Sequence, residues 1–485
     1  MPLPDLIEVR PLFRPVEARV VVPGSKSVTN RALILSALAN GETTLVGALW
    51  SDDTIVLVEC LKKIGFDVVV SEDKVEKCNK TIKIKGKGGY IPAGGTKDSP
   101  LELFVGNAGT AARFLTAMLA MGESGVYRLI GTPRMNERPQ AGLFNALRQL
   151  GYKIESPNDR LPALIYGGGK KSGKCEVDIS ESSQFASALL MCAKTAGWDV
   201  VIKGHNPEEA PYVKMTQEMI SVFPPNGGEF AIEADASSGS YFIAAGVLKK
   251  PDGLDDVYYS LHDYGRYKPS GESPEYPLDL SVKVVNWPKS GWQIDQAFEA
   301  IYRDFAGFII GGGDVTERDM IGWRGDEWRD NEKIINQSPL VYSRKTDLGD
   351  SIMTLIVLSP LATLPVWFID LEQLRLQECE RVKALKDELE KCGAKIKEEG
   401  NSLKILPSRL HGAEIETYDD HRMAMAFTVL GLKIPGIRIK NPKCVKKTFP
   451  TFYQKLASPP PVGLGAIFLN AKTGDEIRFV DLLAD

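Results

Sequence analysis

Histidine is scarce in this chain, with four among 485 residues and no HExxH arrangement. Cysteine is no better placed for chemistry. The seven thiols (Cys60, Cys78, Cys175, Cys192, Cys379, Cys392 and Cys444) are odd in number and include no CxxC pair. Structural zinc needs four closely spaced ligands, and a disulfide frame needs paired cysteines in a small secreted chain. The thiols therefore read as reduced and mostly buried, in a cytoplasmic protein. An excess of basic charge is missing too: 59 Lys plus Arg against 63 Asp plus Glu leave a formal net charge of −4. General nucleic-acid binders carry a positive surplus, so that class is disfavoured. The longest apolar stretch, 353–369, is broken by Ser359, Pro360, Thr363 and Pro365. It is expected to be a core helix and a strand, not a membrane span. The opening MPLPDLIEVRPLFRPVEARVVVPG has neither the apolar centre of a signal peptide nor the Ser/Arg-rich character of a transit peptide. The P-loop pattern GxxxxGK[ST] is also absent, which weakens a nucleotide-hydrolase reading.

What is present is an ordinary globular composition, 43% apolar and 25% charged, long enough for two to four domains at about 100–200 residues each. Three segments share one grammar: Leu61-Lys-Lys-Ile64-Gly65-Phe-Asp-Val68, Leu147-Arg-Gln-Leu150-Gly151-Tyr-Lys-Ile154 and Leu389-Glu-Lys-Cys392-Gly393-Ala-Lys-Ile396. Each follows an amphipathic helical pattern; Val382, Leu385, Leu389 and Cys392 fall on one helix face. Each glycine stands where the helix must stop, because glycine enters the left-handed region at little cost. Alternation typical of a strand comes next. Helix, glycine cap and strand thus form a repeated βαβ-type block. Two stretches fall outside it. Residues 251–280 are rich in Pro, Gly, Tyr and acid, residues 311–340 are polar with scattered Trp, and both read as surface insertions. The tail beyond Leu456 reads as a short extension.

Several small-residue turns precede predicted helices. Val20-Val21-Val22 is strand-like and leads through Pro23-Gly24-Ser25-Lys26-Ser27 to a helix expected from about Asn30. Gly106-Asn107-Ala108-Gly109-Thr110, Ser182-Ser183-Gln184 and Ser237-Ser238-Gly239-Ser240 repeat the arrangement. A helix N-terminus offers free N–H groups and partial positive charge to an anion, although simple capping explains any one of these turns equally well. Lys26 and Arg31 add charge beside the first. Further charge lies in the polar loop 131–139 with Arg134, in Asp419-Asp420-His421-Arg422 at the start of an apolar helix, and in 442–448, where Lys443 and Lys446 read as solvated. Together they point to an anion-binding cleft for a small, multiply charged substrate, with Asp350 and Glu378 available for proton transfer.

The stretches PGSKSVTNRA, LFVGNAGTAARFL, GTPRMNERP, SSQFASALLM, EADASSGSYF, TYDDHRMAMAF and NPKCVKKTFP resemble, in order, the motifs of the 5-enolpyruvylshikimate-3-phosphate synthase family of enolpyruvyl transferases. The resemblance runs from residue 23 to about 455, and the absence of cysteine around Arg134 favours this branch over the one acting on UDP-N-acetylglucosamine. It implies an α/β fold of two similar globular domains, each of three βαβαββ repeats in an inverse α/β barrel-like arrangement, with a hinged cleft. One domain would span 24–288, the other 1–23 plus 289–485. The implied reaction moves the enolpyruvyl group of phosphoenolpyruvate to the 5-hydroxyl of shikimate 3-phosphate through a tetrahedral intermediate, a step toward chorismate and the aromatic amino acids. Carried over motif by motif, Lys26, Asn107, Gly109, Arg134, Gln184, Arg381, Arg422 and Lys447 would hold phosphoenolpyruvate. Lys26, Ser27, Arg31, Ser182, Ser183, Gln184, Asp350, Gln373 and Gln377 would hold shikimate 3-phosphate. Asp350 would be the base on the acceptor hydroxyl and Glu378 the acid toward the methylene carbon. His421 is a second contact or a structural helix-start residue. The resemblance implies no metal or other cofactor, no nucleic-acid or membrane partner, and a monomer.

Three differences from the family pattern fall on the acceptor side. The family's NxRxKExDR stretch reads Gln373-Leu-Arg375-Leu-Gln377-Glu378-Cys-Glu380-Arg381 here, with Gln373 in place of an asparagine and Gln377 in place of a lysine. A phosphate-binding serine is replaced by Glu209 before Ala210-Pro211-Tyr212. These changes keep open a related transferase using a nucleotide or sugar hydroxyl; a non-catalytic anion-binding homologue is a further alternative. The total charge of −4 is expected to be the sum of a cationic site and an acidic exterior.

Overall fold

The computed structural model describes residues 3–12, 15–92, 94–204, 210–249, 279–309 and 338–484. Glu209 and the stretches 251–280 and 311–340, apart from their last residues 279–280 and 338–340, lie outside the described residues.

By contact the chain divides into two compact units, one of Pro23–Asp235 with Pro288–Gln293 and one of Met1–Val22, Ala236–Trp287 and Ile294–Asp485. They are called here the 23–235 unit and the 294–485 unit. The sequence placed the described residues of 236–287 with the former; their packing places them with the latter. Strand Val282–Val284 pairs in parallel with Ala18–Val20, and the Tyr302 hydroxyl donates to the Ala244 carbonyl at 2.8 Å. Trp287 also packs beside Gly239, where a Cβ would stand 2.6 Å from the indole. Residues 288–293 pack within the 23–235 unit, where Trp292 stacks on Phe230 and Gln293 donates to Glu233 at 2.8 Å.

Four sheets share one topology. In the 23–235 unit the orders are Gly228–Ala231, Glu42–Leu49, Asn79–Lys85, Asp67–Glu72, and Leu101–Phe104, Val126–Ile130, Ala163–Tyr166, Ile154–Glu155. In the 294–485 unit they are Leu340–Ser343, Val366–Ile369, Ser402–Leu406, Lys395–Glu399, and Glu414–Ile415, Arg438–Lys440, Leu6–Val9, Phe468–Asn470. In each the first pair is parallel and the other two are antiparallel. Parallel neighbours require a crossover and antiparallel ones can be joined by a turn, so the sheets of 101–166 and 340–406 are each one continuous βαβαββ block, while the other two complete the same order with a distant strand, Gly228–Ala231 and Leu6–Val9. The parallel pairs Gly173–Asp178 with Trp198–Lys203, and Ala18–Val20 with Val282–Val284, mark a third block in each unit. The tail beyond Leu456 is therefore no mere extension: Phe468–Asn470 is the edge strand beside Leu6–Val9.

The three glycine caps are alike to the hydrogen bond. Gly65, Gly151 and Gly393 have φ of 103°, 78° and 90°. The next residue's N–H reaches back in each case: Phe66 to Leu61 O, Tyr152 to Leu147 O and Ala394 to Leu389 O, at 3.0, 3.1 and 3.0 Å. These are the six-to-one bonds of a Schellman ending.

One crossover helix of each block lies in the core. Lys26–Leu38, Gly109–Ala120 and Ser183–Ala196 pack on one another in the 23–235 unit; Ala236–Ala245, Ile352–Leu358 and His421–Gly431 do so in the other. They are buried almost all round, and each fully buried Phe or Leu contributes roughly 1.5–3 kcal/mol relative to exposure. The first helix begins at Lys26, earlier than expected, because its poor helix formers have tertiary partners. The Thr29 hydroxyl accepts from Leu49 N–H at 3.1 Å, and Asn30 donates to Thr110 Oγ1 at 2.8 Å.

Candidate active site

Each core helix starts where a motif turn ends, and the turns carry the charged side chains. In the 294–485 unit Asp350 lies just before Ile352–Leu358, and Asp420 caps His421–Gly431 by accepting from Arg422 N–H at 2.8 Å. Asp350 faces three guanidinium groups: Arg344 Nη2 at 3.1 Å, Arg422 Nη2 at 3.1 Å and Arg381 Nη1 at 3.7 Å. Burial works against its charge, but Arg422, Arg381 and Arg344 outweigh it and hold the carboxyl well below the usual carboxylate range.

Arg381, the first residue of helix Arg381–Lys391, is buried and serves as the hub. It donates to Asp420 Oδ2 at 2.7 Å, to Glu378 Oε2 at 2.8 Å and to the Gln377 side-chain carbonyl. Glu378 receives Lys447 Nζ on its other oxygen at 2.7 Å. Gln377 donates to Asp350 Oδ1 at 3.3 Å, so it sits between the carboxylate and the hub arginine. Asp350, Glu378, Gln377, Arg381, Arg422 and Lys447, all expected from sequence, thus form one connected cluster. Gln373 is buried in the turn Glu372–Leu376, and His421 is buried at its helix start with Nδ1 3.7 Å from Asp420. Arg344, which sequence reading passed over, completes the set. Four cations stand against Asp350, Glu378 and Asp420, so the expected positive surplus is largely cancelled on the spot.

The 23–235 unit uses different partners. Arg31 is buried, its Nε donating to Thr216 Oγ1 at 2.7 Å and its Nη groups to Ser187 Oγ at 3.2 Å and Ser27 O at 3.0 Å. Its guanidinium lies 5.4 Å from the Phe114 ring centre. Arg113 donates to Gln184 Oε1 at 2.7 Å and to Pro139 O at 3.0 Å, with Phe185 beneath it. A Cβ on Gly109 would stand 2.9 Å from both Arg113 Nη1 and Arg138 Nη1, so glycine there admits two guanidinium groups. Arg138 also donates to Asn107 O at 3.3 Å. Lys26 Nζ is 3.3 Å from Asp53 Oδ2. Arg134 lies half exposed in the short helix Pro133–Glu137, within what sequence suggested was loop, and pairs with Glu137 at 3.0 Å. Ser182 accepts from Gln184 N–H at 3.3 Å, an ordinary cap, and Ser183 is buried behind it.

The fourth turn departs from expectation. Ser237 Oγ donates to Asp295 at 2.5 Å and Ser240 Oγ to Ser237 O at 2.7 Å, so these hydroxyls are committed within the fold. All seven cysteines are free thiols, six of them buried. Among the described residues no cluster of His, Cys, Asp and Glu is arranged to hold a metal, and no helix is long and apolar enough to cross a membrane.

The model of the EPSP synthase (3-phosphoshikimate 1-carboxyvinyltransferase) family matches residues 13–226 and 281–456. A 3-phosphoshikimate 1-carboxyvinyltransferase of Trichormus variabilis is 35% identical over 472 residues, covering 93% of this chain and 98% of that one. One from Sulfurovum is 36% identical over 478 residues, with 93% and 98% covered. Among solved structures, an EPSP synthase of Acinetobacter baumannii superposes with a TM-score of 0.62 at 19% identity over 96% of this chain and 100% of that one. The enolpyruvyl transferase NikO of Streptomyces tendae gives 0.59 at 15% identity over 96% and 99%; both show likeness of fold. By the extent of the family match and the identity of its relatives, the chain belongs to the EPSP synthase family.

Proposed function

We propose that the chain transfers the enolpyruvyl group of phosphoenolpyruvate to the 5-hydroxyl of shikimate 3-phosphate and releases inorganic phosphate. The observation that carries this is the pair of carboxylates joined by one arginine: Asp350 among Arg344, Arg381 and Arg422, and Glu378 between Arg381 and Lys447. The reaction needs three proton movements, off the acceptor hydroxyl, onto the methylene carbon and off it again, on a donor that carries both phosphate and carboxylate charge. Acceptor oxygen bonds to the central carbon of phosphoenolpyruvate while its methylene gains a proton. That proton is then lost as the C–O bond to phosphate breaks, restoring the double bond. Asp350 takes the hydroxyl proton in the addition and releases it with the departing phosphate, and Glu378 supplies and later recovers the methylene proton.

Asp350 is a weak base while three arginines face it. Phosphate and carboxylate of the donor would share those cations, weakening their hold on Asp350 and raising its basicity when substrate is bound. Lys26, Asn107, Gly109, Arg134 and Gln184 in the 23–235 unit are assigned to phosphoenolpyruvate, with Arg381, Arg422 and Lys447 in the other. Lys26, Ser27, Arg31, Ser182, Ser183, Gln184, Asp350, Gln373 and Gln377 are assigned to the acceptor. The reading needs no cofactor, and places a monomer in the cytoplasm.

Phosphate release from phosphoenolpyruvate, measured with and without shikimate 3-phosphate, tests the reading. Release only with the acceptor is expected. No turnover with it, or preference for a nucleotide or sugar hydroxyl, would sink it, and Gln377 would then be the first residue to suspect.

A further inference from the structure

Asp295 lies in the turn Ile294–Ala297, outside every motif that points to the reaction, and its side chain is buried. It accepts four hydrogen bonds, as many as a carboxylate readily takes. Gly349 N–H reaches Oδ1 at 2.8 Å, Ser351 N–H at 3.1 Å and Ser351 Oγ at 2.5 Å, while Ser237 Oγ reaches Oδ2 at 2.5 Å. The two amides belong to the residues on either side of Asp350. Gly349 is small of necessity, since a Cβ there would stand 3.1 and 3.2 Å from the Asp295 oxygens and 2.9 Å from Ile294 Cγ2. Ser351 occupies the N-cap position of Ile352–Leu358 without capping it; its hydroxyl is given to Asp295 instead.

We propose that Asp295 is a positioning residue for Asp350. Three guanidinium groups pull on the Asp350 carboxylate from different elements, and the short turn 349–351 must resist that pull. Asp295 pins the turn at both neighbouring amides, so the Asp350 backbone stays fixed and only its side chain answers to charge. Ser237 ties the same carboxylate to helix Ala236–Ala245, so two core helices share the anchor. Displacement of a reacting group by about 1 Å costs on the order of a hundredfold in rate, which sets the expected size of the effect.

The kinetic part rests on the function proposed above; the anchoring part does not. Asp295→Ala is expected to lower kcat about ten- to a hundredfold with little change in KM. Asp295→Asn, which keeps an acceptor oxygen, should recover most of it. In an Asp350→Asn background, Asp295→Ala should cost nothing further, because its effect passes through Asp350. Equal losses in both backgrounds, or kcat within twofold of wild type for Asp295→Ala, would overturn the proposal. Amide hydrogen exchange reads the anchor without any turnover. Gly349 and Ser351 should lose protection in Asp295→Ala while helix His421–Gly431 keeps its own; unchanged protection at 349 and 351 would overturn the proposal equally. If Asp295→Ala does not fold, Ser237→Ala supplies the milder variant, with the same two amides expected to exchange faster and unchanged exchange again counting against it. A wild-type protein inactive with shikimate 3-phosphate would defeat the functional reading alone, and exchange would still decide the anchor.

Discussion

The two units handle buried arginine in opposite ways. Arg31 and Arg113 are held by hydroxyl, amide and carbonyl oxygens from Thr216, Ser187, Ser27, Gln184 and Pro139. Arg381 and Arg422 are held by carboxylates: Asp420, Glu378 and Asp350. Neutral acceptors orient a guanidinium without cancelling its charge, and carboxylates orient it while cancelling much of it. The first arrangement suits a group that meets an anion and stays put. The second suits groups that exchange partners, since an anion arriving at Arg381 or Arg422 competes with a carboxylate whose protonation then changes.

The largest test of this contrast removes the exchangeable charge. Glu378→Gln keeps the shape between Arg381 and Lys447 but not the proton, and turnover should fall by a factor on the order of 10²–10⁴ with substrate binding retained, as read by single-turnover kinetics and calorimetry. A loss under tenfold would remove Glu378 from the chemistry.

Next comes stability. Arg381→Met leaves the buried Asp420 without its cation and Glu378 with Lys447 alone, and should cost about 3–5 kcal/mol. Arg31→Met strands the Thr216 and Ser187 hydroxyls and the Ser27 carbonyl and should cost about 1–3 kcal/mol. Urea unfolding compares them, and equal costs would erase the distinction between the units.

The contrast also has a pH signature. Asp350 has a folded pKa below its unfolded one, so its stabilising contribution is complete above the unfolded value of about 3.9 and is lost as pH falls toward the folded value. The stability gap between wild type and Asp350→Asn should be flat from pH 8 to 5 and narrow below about pH 4, by roughly 1.4 kcal/mol per pH unit. The hydroxyl and carbonyl acceptors Thr216, Ser187 and Ser27 of Arg31 do not titrate there and add no slope of their own. A gap for Asp350→Asn that widened in acid would reverse the assigned sign.

The smallest effect compares two equivalent caps. Gly151→Ala meets only Lys171 Nζ at 3.9 Å and should cost about 1 kcal/mol through backbone strain alone. Gly393→Ala also meets His411 and Arg409 O at 3.1 and 3.2 Å and should cost more, with activity unchanged in both; thermal melting would show whether the order holds.

The caps were legible because left-handed backbone selects glycine, a local rule that sequence can express. The charged cluster around Arg381 was legible through its motif residues. Other features had no local signal. The start of the first helix depended on Leu49 and Thr110 satisfying Thr29 and Asn30 across the core. Arg344 and Asp295 sit in unremarked stretches and acquire meaning only from partners on other elements. The SSGS turn looked like an anion seat because serine serves equally as cap, anchor or ligand, and only the position of Asp295 distinguishes them. The role of the tail was hidden for a simpler reason: a three-residue strand has no pattern of its own.

That tail strand carries a consequence for biosynthesis. Leu6–Val9 lies between Arg438–Lys440 and Phe468–Asn470, so it is made long before either neighbour and must wait for both. At about 5–20 residues per second, the roughly 430 residues that separate it from Arg438–Lys440 take on the order of 20–90 s to make. Throughout that interval Leu6–Val9 has neither of its native neighbours, and its backbone groups stay open to any other strand they meet. Chaperone supply during translation should therefore raise the folded yield, as coexpression would show.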